Sequence, residues 1–502
     1  MLASVRSRGV RLWSENGQLH YKGPKDALTR DEIGQLRASR DRIVALLESS
    51  RTAGNAASRA GRNRFPLAFS QLARWNQYQH GERRPMRTIT SATHLHGPLN
   101  VDVLRRSLAA IICRHDALRI HIVACEGTPV QEVAESGYCE LEAVDLSISS
   151  ERGCELEVNR RIEQLVLEPV DLAAGGLLRV QLLRLNRDEH VLVVAMEHMI
   201  SDMYSMGILL RELFTAYSQL ASGRELSLPK IAIQFADYAA RQRSTETLWT
   251  RQHDAYWNEH LAGCERLRFP KDRSISEPMQ LGWGSVPLCI DGELKAALQQ
   301  WCRANRTTLP MSVLAAYVAV VLRWCNCAET VIQHQSDGRT DPAVENTIGF
   351  FASVLHLRIA LHAHDTFADL TGRVTHEYCR AYEHADLSRI AARMPPPAFT
   401  RNSVFNWIPQ DTKIDVTGPT GAGPTVAWTS APFAHLRADT TEMDHEPSVL
   451  LLDGGEEIAG WVYFPLHRFS VSTMEQFARN FLAFVAAVPM RTMQPVRELP
   501  LA

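Results

Sequence analysis

Residues 191–196, Val-Leu-Val-Val-Ala-Met, form an unbroken apolar run that leads into Glu197-His198-Met199-Ile200-Ser201-Asp202. A run of that length fits a buried strand. Apolar residues at Ile208, Leu209, Leu213 and Phe214 then recur at helical spacing. A buried strand, a tight turn and an amphipathic helix put His198 and Asp202 on a strand-to-helix connection. From Phe65 to the end strands and helices alternate without a repeat, and an α/β class is expected.

That placement has chemical content. A neutral imidazole at the end of a buried strand can accept a proton from a nucleophile. An Asp four residues on can orient the turn or pair with an Arg elsewhere. Alone, a His-x-x-x-Asp spacing is weak, because a lone buried histidine is more often a satisfied core residue, and further segments must decide.

The first fifty residues read as a separate module. Val10–Trp13 and Gln18–Lys22 are strand-like, and Asn16-Gly17 between them favours a tight hairpin turn. Pro24 breaks the strand. Thr29 with Glu32 makes a capping box for a helix whose apolar positions are Ile33, Leu36, Ile43, Leu46 and Leu47. Residues 1–48 hold nine Lys or Arg against six Asp or Glu, a net +3 on a chain whose overall charge is -2. Residues 51–64 have the Ala, Ser, Gly and Arg content of a linker. The near-neutral total argues against nucleic-acid binding. No apolar run approaches the roughly 20 residues that span a bilayer, and the start lacks the apolar core of a secretory signal. The expected location is cytoplasmic. The ten cysteines contain no C-x-x-C pair, so no metal site is expected.

Several segments, in order, resemble the motifs of nonribosomal peptide synthetase condensation domains. Pro66-Leu67 with Gln71, Arg74 and Trp75 resembles the opening motif, and Arg114-His115-Asp116-Ala117-Leu118-Arg119 resembles R-H-E-x-L-R. Residues 196–203 resemble H-H-x-x-x-D-G, and Phe235-Ala236-Asp237-Tyr238-Ala239 resembles Y-x-D-F-A. Tyr256-Trp257, Pro270-Lys271-Asp272-Arg273, Gly338-Arg339, Ile348-Gly349-Phe350-Phe351 with Arg358, and Phe405-Asn406 follow at suitable distances. The resemblance covers nearly all of residues 65–502. Residues 2–48 are similar to the β-hairpin docking domains of some synthetase subunits, through Gly9–Trp13, Leu19-His20-Tyr21, Pro24-Lys25 and Leu28-Thr29. Departures are present too. Glu197 replaces the first His of the signature, Met203 its Gly, Ser353 an Asn after Phe-Phe, and Arg241 a Trp.

The resemblance implies two lobes, each like chloramphenicol acetyltransferase, forming a V-shaped domain over residues 65–238 and 239–502. A docking domain over 1–50 and the linker over 51–64 would precede them. It implies His198 as catalytic base in a tunnel between the lobes. Asp202 would form a structural ion pair with Arg114, Arg119 being the other candidate. Glu197, Met203, Asn406, Trp407 and Ser353 would line the tunnel, Glu197 with a scaffold role. Arg11, Trp13, Leu19, Tyr21, Lys22 and Lys25 would dock a short C-terminal, often acidic, tail of an upstream acyl or peptidyl carrier protein. No cofactor is expected to bind. The acyl donor would arrive on the phosphopantetheine arm of the carrier and pass to a soluble hydroxyl or amine, releasing a polyketide or peptide product. Lacking adenylation and carrier motifs, the chain is expected to be free-standing, like the ester-forming enzyme of enacyloxin assembly. A degenerate recruiter and an epimerization domain are the alternative readings.

Overall fold

The computed structural model of the chain describes residues 11–15, 18–22, 40, 63–79, 88–147, 151–168, 170–272, 282–384, 403–409, 425–429, 446–491 and 493–501. At the N-terminus β1 (Arg11–Glu15) pairs antiparallel with β2 (Gln18–Lys22), Trp13 opposite His20. The described strands cover Arg11–Trp13 and Gln18–Lys22 of the two expected runs and carry the first on to Glu15, while Val10 lies outside the described residues. Asn16-Gly17, Lys25 and the helix expected after Thr29 lie outside the described residues.

The first half of the main body then supplies β3 (Arg64–Pro66), α1 (Phe69–Gln79), β4 (Thr88–His96), α2 (Val101–Arg114), β5 (Ile120–Cys125), β6 (Thr128–Val133) and β7 (Leu141–Asp145). It continues with α3 (Glu151–Leu167), β8 (Leu178–Arg184), β9 (Glu189–Glu197), α4 (Met203–Ala221), α5 (Phe235–Ser244) and α6 (Glu246–His260). The second half supplies β10 (Trp283–Ile290), α7 (Gly292–Ala304), α8 (Leu309–Trp324), β11 (Glu329–Ser336), β12 (Ser353–Ala360) and α9 (Phe367–Glu383). After these come β13 (Val404–Pro409), β14 (Thr425–Thr429), β15 (Ser448–Asp453), β16 (Ile458–Pro465) and α10 (Val471–Ala487).

The principal sheet of the first half has the order β14-β4-β9-β8-β7, and a small sheet has the order β3-β6-β5. Strand β9 explains the apolar run of the sequence. Its residues Leu192, Val194 and Met196 enter one core and Val191, Val193 and Ala195 another, so both faces are covered. The sheet of the second half has the order β10-β16-β15-β13-β11-β12. Helix α8 is buried over every residue from Met311 to Leu322, so it serves as the second core's axis. Among the described residues no single helix is long and apolar enough to cross a membrane.

The halves interpenetrate. Strand β14 leaves the second half and pairs with β4, Ala427 opposite His94, at the edge of the first sheet. Val344, Ile348 and Phe351 are part of the first half's core. Helix α5 runs across the division expected at residues 238/239, and its Phe235 and Ala239 pack in that same core.

Asp272, from the motif Pro270–Arg273, accepts from the Ser470 backbone N–H at 3.0 Å and from its hydroxyl at 2.5 Å. Ser470 is the N-cap of α10, so the carboxylate faces the positive end of that helix. Asp272→Ala is expected to lower stability by about 0.3–1 kcal/mol, read as a shift in the urea midpoint with an unchanged slope.

Candidate active site

His198 follows the last residue of the central strand β9, and Asp202 is the N-cap of α4. The four-residue spacing therefore crosses from one rigid element to another. The ring of His198 is fixed by its own turn, because Nδ1 lies 2.8 Å from the Ser201 carbonyl. A carbonyl only accepts, so Nδ1 carries the proton and Nε2 carries the free lone pair. The Phe350 ring lies 4.3 Å from the imidazole at 46°. Some of the His198 surface stays open, yet protein crowds the ring. Burial, and next the positive charge of Arg74, lower its pKa to about 4, against weaker raising effects of Ser201 and Asp202. The imidazole is neutral at physiological pH.

Helix α1 holds this turn from behind. Gln71 donates to the Met199 carbonyl at 2.9 Å, and Tyr78 donates to Glu197 Oε1 at 2.5 Å. Ser70 donates to the Phe350 carbonyl at 2.6 Å. Residues 70, 71, 74 and 78 share a helical face by spacing, which places Arg74 along the same turn.

Asp202 is the structural centre, but its partner is neither Arg114 nor Arg119. Arg339 Nη1 reaches Asp202 Oδ2 at 3.0 Å, with both side chains buried. The same oxygen accepts from the backbone N–H groups of Phe351 and Ala352 at 3.0 and 3.1 Å, and Oδ1 accepts from Ser205 N at 2.8 Å. Burial pushes the Asp202 pKa up, but the Arg339 charge and these hydrogen bonds outweigh it and the net direction is down. Arg339 also bonds Ser205 Oγ at 2.9 Å and the Thr347 carbonyl at 3.0 Å, and lies between the rings of Tyr204 and Phe351. Gly338 before it has φ +64, and a Cβ there would strike the Phe351 carbonyl. Glycine is required at that position.

Both arginines find acids elsewhere. Arg114 ends α2 and pairs with Glu212 at 2.9 Å, which also meets His115 at 2.8 Å. Glu212 is ten residues along α4 from Asp202, roughly 15 Å down the helix axis. Arg119 pairs with Asp116 at 3.0 Å, three residues away.

The expected tunnel residues separate. Glu197 is 2% exposed, with its carboxylate on Tyr78 rather than on open space. Ser353 is buried, and its Oγ is sealed from solvent and has no partner among the described residues. Met203 is half-buried at the start of α4, against the first core. Asn406 is half-buried and donates to Gln335 Oε1 at 2.6 Å, while Trp407 packs on the second core. Arg241 pairs with Asp341 and so links α5 to the second half. Arg11, Trp13, Leu19, Tyr21 and Lys22 stand on the β1–β2 hairpin, apart from this site in sequence. Arg339, Ser205 and Phe350 were not singled out for these roles by sequence reasoning. The Gly338-Arg339 pair was the available signal, since a glycine before a lone Arg marks a constrained turn.

Comparison with known proteins gives a consistent picture. The family described as "Condensation domain" matches residues 62–502, and the "TubC N-terminal docking domain" family matches residues 1–49. A linear gramicidin synthase protein of Brevibacillus parabrevis is 29% identical over 87% of this chain, which spans 6% of that protein. Malpibaldin synthetase of Mortierella alpina is 28% identical over 87% of the chain, which spans 8% of that protein. Among solved structures, the starter condensation domain of rhizomide synthetase superposes with a TM-score of 0.74 at 16% identity, covering 88% of this chain and 98% of its own. The SgcC5 protein from Streptomyces globisporus, in complex with a naphthyl-ethanediol, does so at 0.68 and 23% identity, covering 86% and 100%.

Arg339→Ala leaves the buried Asp202 charge unpaired and is expected to cost about 3–5 kcal/mol, read by urea denaturation. Because the folded Asp202 pKa is depressed, the unfolded chain takes the proton first as acid is added. That contribution is whole above about pH 4, the unfolded value, and is lost as the pH falls through the lower folded value. Stability of Asp202→Asn between pH 5 and 2.5 is therefore expected to fall less steeply than that of the parent. Ser353→Ala removes a buried hydroxyl that makes no bond among the described residues, and its melting temperature is expected to equal or exceed the parent's.

Proposed function

The chain belongs to the condensation-domain family, and from that premise we propose that it transfers an acyl group from a carrier-protein phosphopantetheine thioester to a hydroxyl or amine of a soluble acceptor. The observation that carries this reading is the His198 ring, with Nδ1 tied to Ser201 and Nε2 left as an acceptor with no partner among the described residues. In the proposed step, Nε2 takes the proton of an acceptor hydroxyl as its oxygen attacks the thioester carbonyl. The tetrahedral adduct then expels the thiolate, which recovers the proton from the imidazolium. No acyl-enzyme is needed.

The low pKa sets what His198 can contribute. Burial keeps the ring neutral and ready, and the same burial makes it a weaker base than a free imidazole. Holding the two reactants in register therefore supplies much of the acceleration. A neutral amine needs the base less than an alcohol does. The intact Asp202–Arg339 contact beneath the turn supports transfer over recruitment alone.

The N-terminal match supports the way the donor is brought. In this reading an upstream carrier's tail adds as a strand to an edge of the β1–β2 hairpin, contacting Arg11, Trp13, Leu19, Tyr21, Lys22 and Lys25. The net positive charge of residues 1–48 attracts an acidic tail.

The test is intact-protein mass spectrometry of an acyl-loaded carrier incubated with this protein and a mixture of small alcohols and amines. His198→Ala is expected to keep its fold and slow transfer by roughly 10²–10⁴. An equal rate in the variant removes His198 from the mechanism, and a thioester that stays intact while residues 1–50 bind the carrier removes the transfer reading. The acid limb of the rate profile is expected near pH 4, because the rate falls only as His198 protonates. A limb near 6.5 would mean a solvated imidazole instead.

A further inference from the structure

His198 is matched by a second imidazole with one nitrogen tied and the other open. His334 lies on β11 and is 6% exposed. Its Nδ1 donates to the Phe405 carbonyl at 3.0 Å, across the parallel pairing in which these two residues are register partners. The ring's proton is thereby used, and Nε2 is a bare acceptor. Among the described residues Nε2 has no partner, yet it is not one of the polar atoms that the fold seals from solvent.

The Tyr378 ring of α9 stands against this imidazole at 5.4 Å and 70°. Its hydroxyl likewise has no partner among the described residues and is not sealed. The pair lies close to the site already described. Strand β11 runs from His334 into Asp337, Gly338 and Arg339, and the Asp337 carboxylate is near enough to act on Tyr378. The two groups have complementary capacities, one accepting and one donating. Burial lowers the His334 pKa to about 4, and burial, followed by Tyr382 and Asp337, pushes that of Tyr378 up. Both are neutral at pH 7, and a charged ligand would meet the same burial penalty. One neutral atom that can donate and accept at once is a hydroxyl oxygen.

We infer that His334 and Tyr378 form a hydroxyl-binding subsite, distinct from the reacting centre, in which one ligand O–H donates to His334 Nε2 and accepts from Tyr378 Oη. This rests on the transfer reading for what brings the hydroxyl. It is either a second hydroxyl of the acceptor or the hydroxyl of the carrier's pantetheine arm. A polar subsite of this kind discriminates against a ligand lacking the group, because its own partners are then left unpaired.

The test compares monoalcohols with α,ω-diols of two to six carbons as acceptors, using one acyl carrier and Tyr378→Phe, which deletes only the hydroxyl. For the best diol, Tyr378→Phe is expected to raise KM by roughly tenfold or more with little change in kcat, leaving monoalcohols unaffected. A rise in KM for the carrier, whatever the acceptor, assigns the hydroxyl to the arm and still supports the subsite. No change in either KM overturns it. A second measurement works without turnover. Diethyl pyrocarbonate at pH 6, mapped by peptide mass spectrometry, is expected to label His334 and to do so more slowly with the diol present. Labelling of His198 without His334 overturns the subsite and leaves the transfer reading standing, whereas failure of transfer with His334 labelled and protected does the reverse.

Discussion

One buried carboxylate holds the site together. Asp202 accepts four hydrogen bonds, from Ser205, Arg339, Phe351 and Ala352, and these donors come from α4 and from the segment after β11. Removing such a charge from water is costly, and it is tolerated here because every donor is in place. The geometry of the His198 turn follows from it. Asp202 fixes the start of α4, the Ser201 carbonyl just before it fixes the ring of His198, and Phe350 just before the donated N–H groups lies against that ring. The glycine at 338 follows as well, since any side chain there would push Arg339 out of register.

The site is therefore shared between halves of the chain that also exchange structure. The second half lends β14 to the first sheet and Val344, Ile348 and Phe351 to the first core. Arg241 of the first half pairs with Asp341 of the second. Each contact restrains the relative placement of His198 and the segment around Phe350. A rigid site of this kind can spend binding energy on orientation, which suits the proposed transfer, whose base is weak.

The departures from the family pattern sort by what they touch. Glu197 is accommodated by Tyr78 on α1, so it braces the turn. Arg241 gains an ion pair with Asp341. Ser353 gains no hydrogen bond among the described residues and leaves a buried hydroxyl there. Met203 stays at the head of α4, where its side chain packs on the first core. None of the four disturbs the Nδ1 bond that leaves His198 ready to accept a proton.

The order of motifs made the family, the α/β class and the position of His198 legible before any coordinates. An uninterrupted apolar run is a local property, and so is a histidine placed directly after it. The hairpin was legible for the same reason, from strand-like runs on either side of Asn16-Gly17. The partner of Asp202 was not legible. Arg114 and Arg119 stood in a recognisable motif, but each found a nearer acid, Glu212 and Asp116. Arg339 lies 137 residues from Asp202 along the chain, and ion pairing carries no sequence periodicity that could announce it. The open nitrogen of His334 was hidden in the same way, because a strand pattern cannot say which ring atom a neighbouring carbonyl will use. Sequence determined the elements and the histidine at the strand's end, since those depend on local pattern. Tertiary structure decided which charges meet and which polar atoms remain free, since those depend on packing between distant segments.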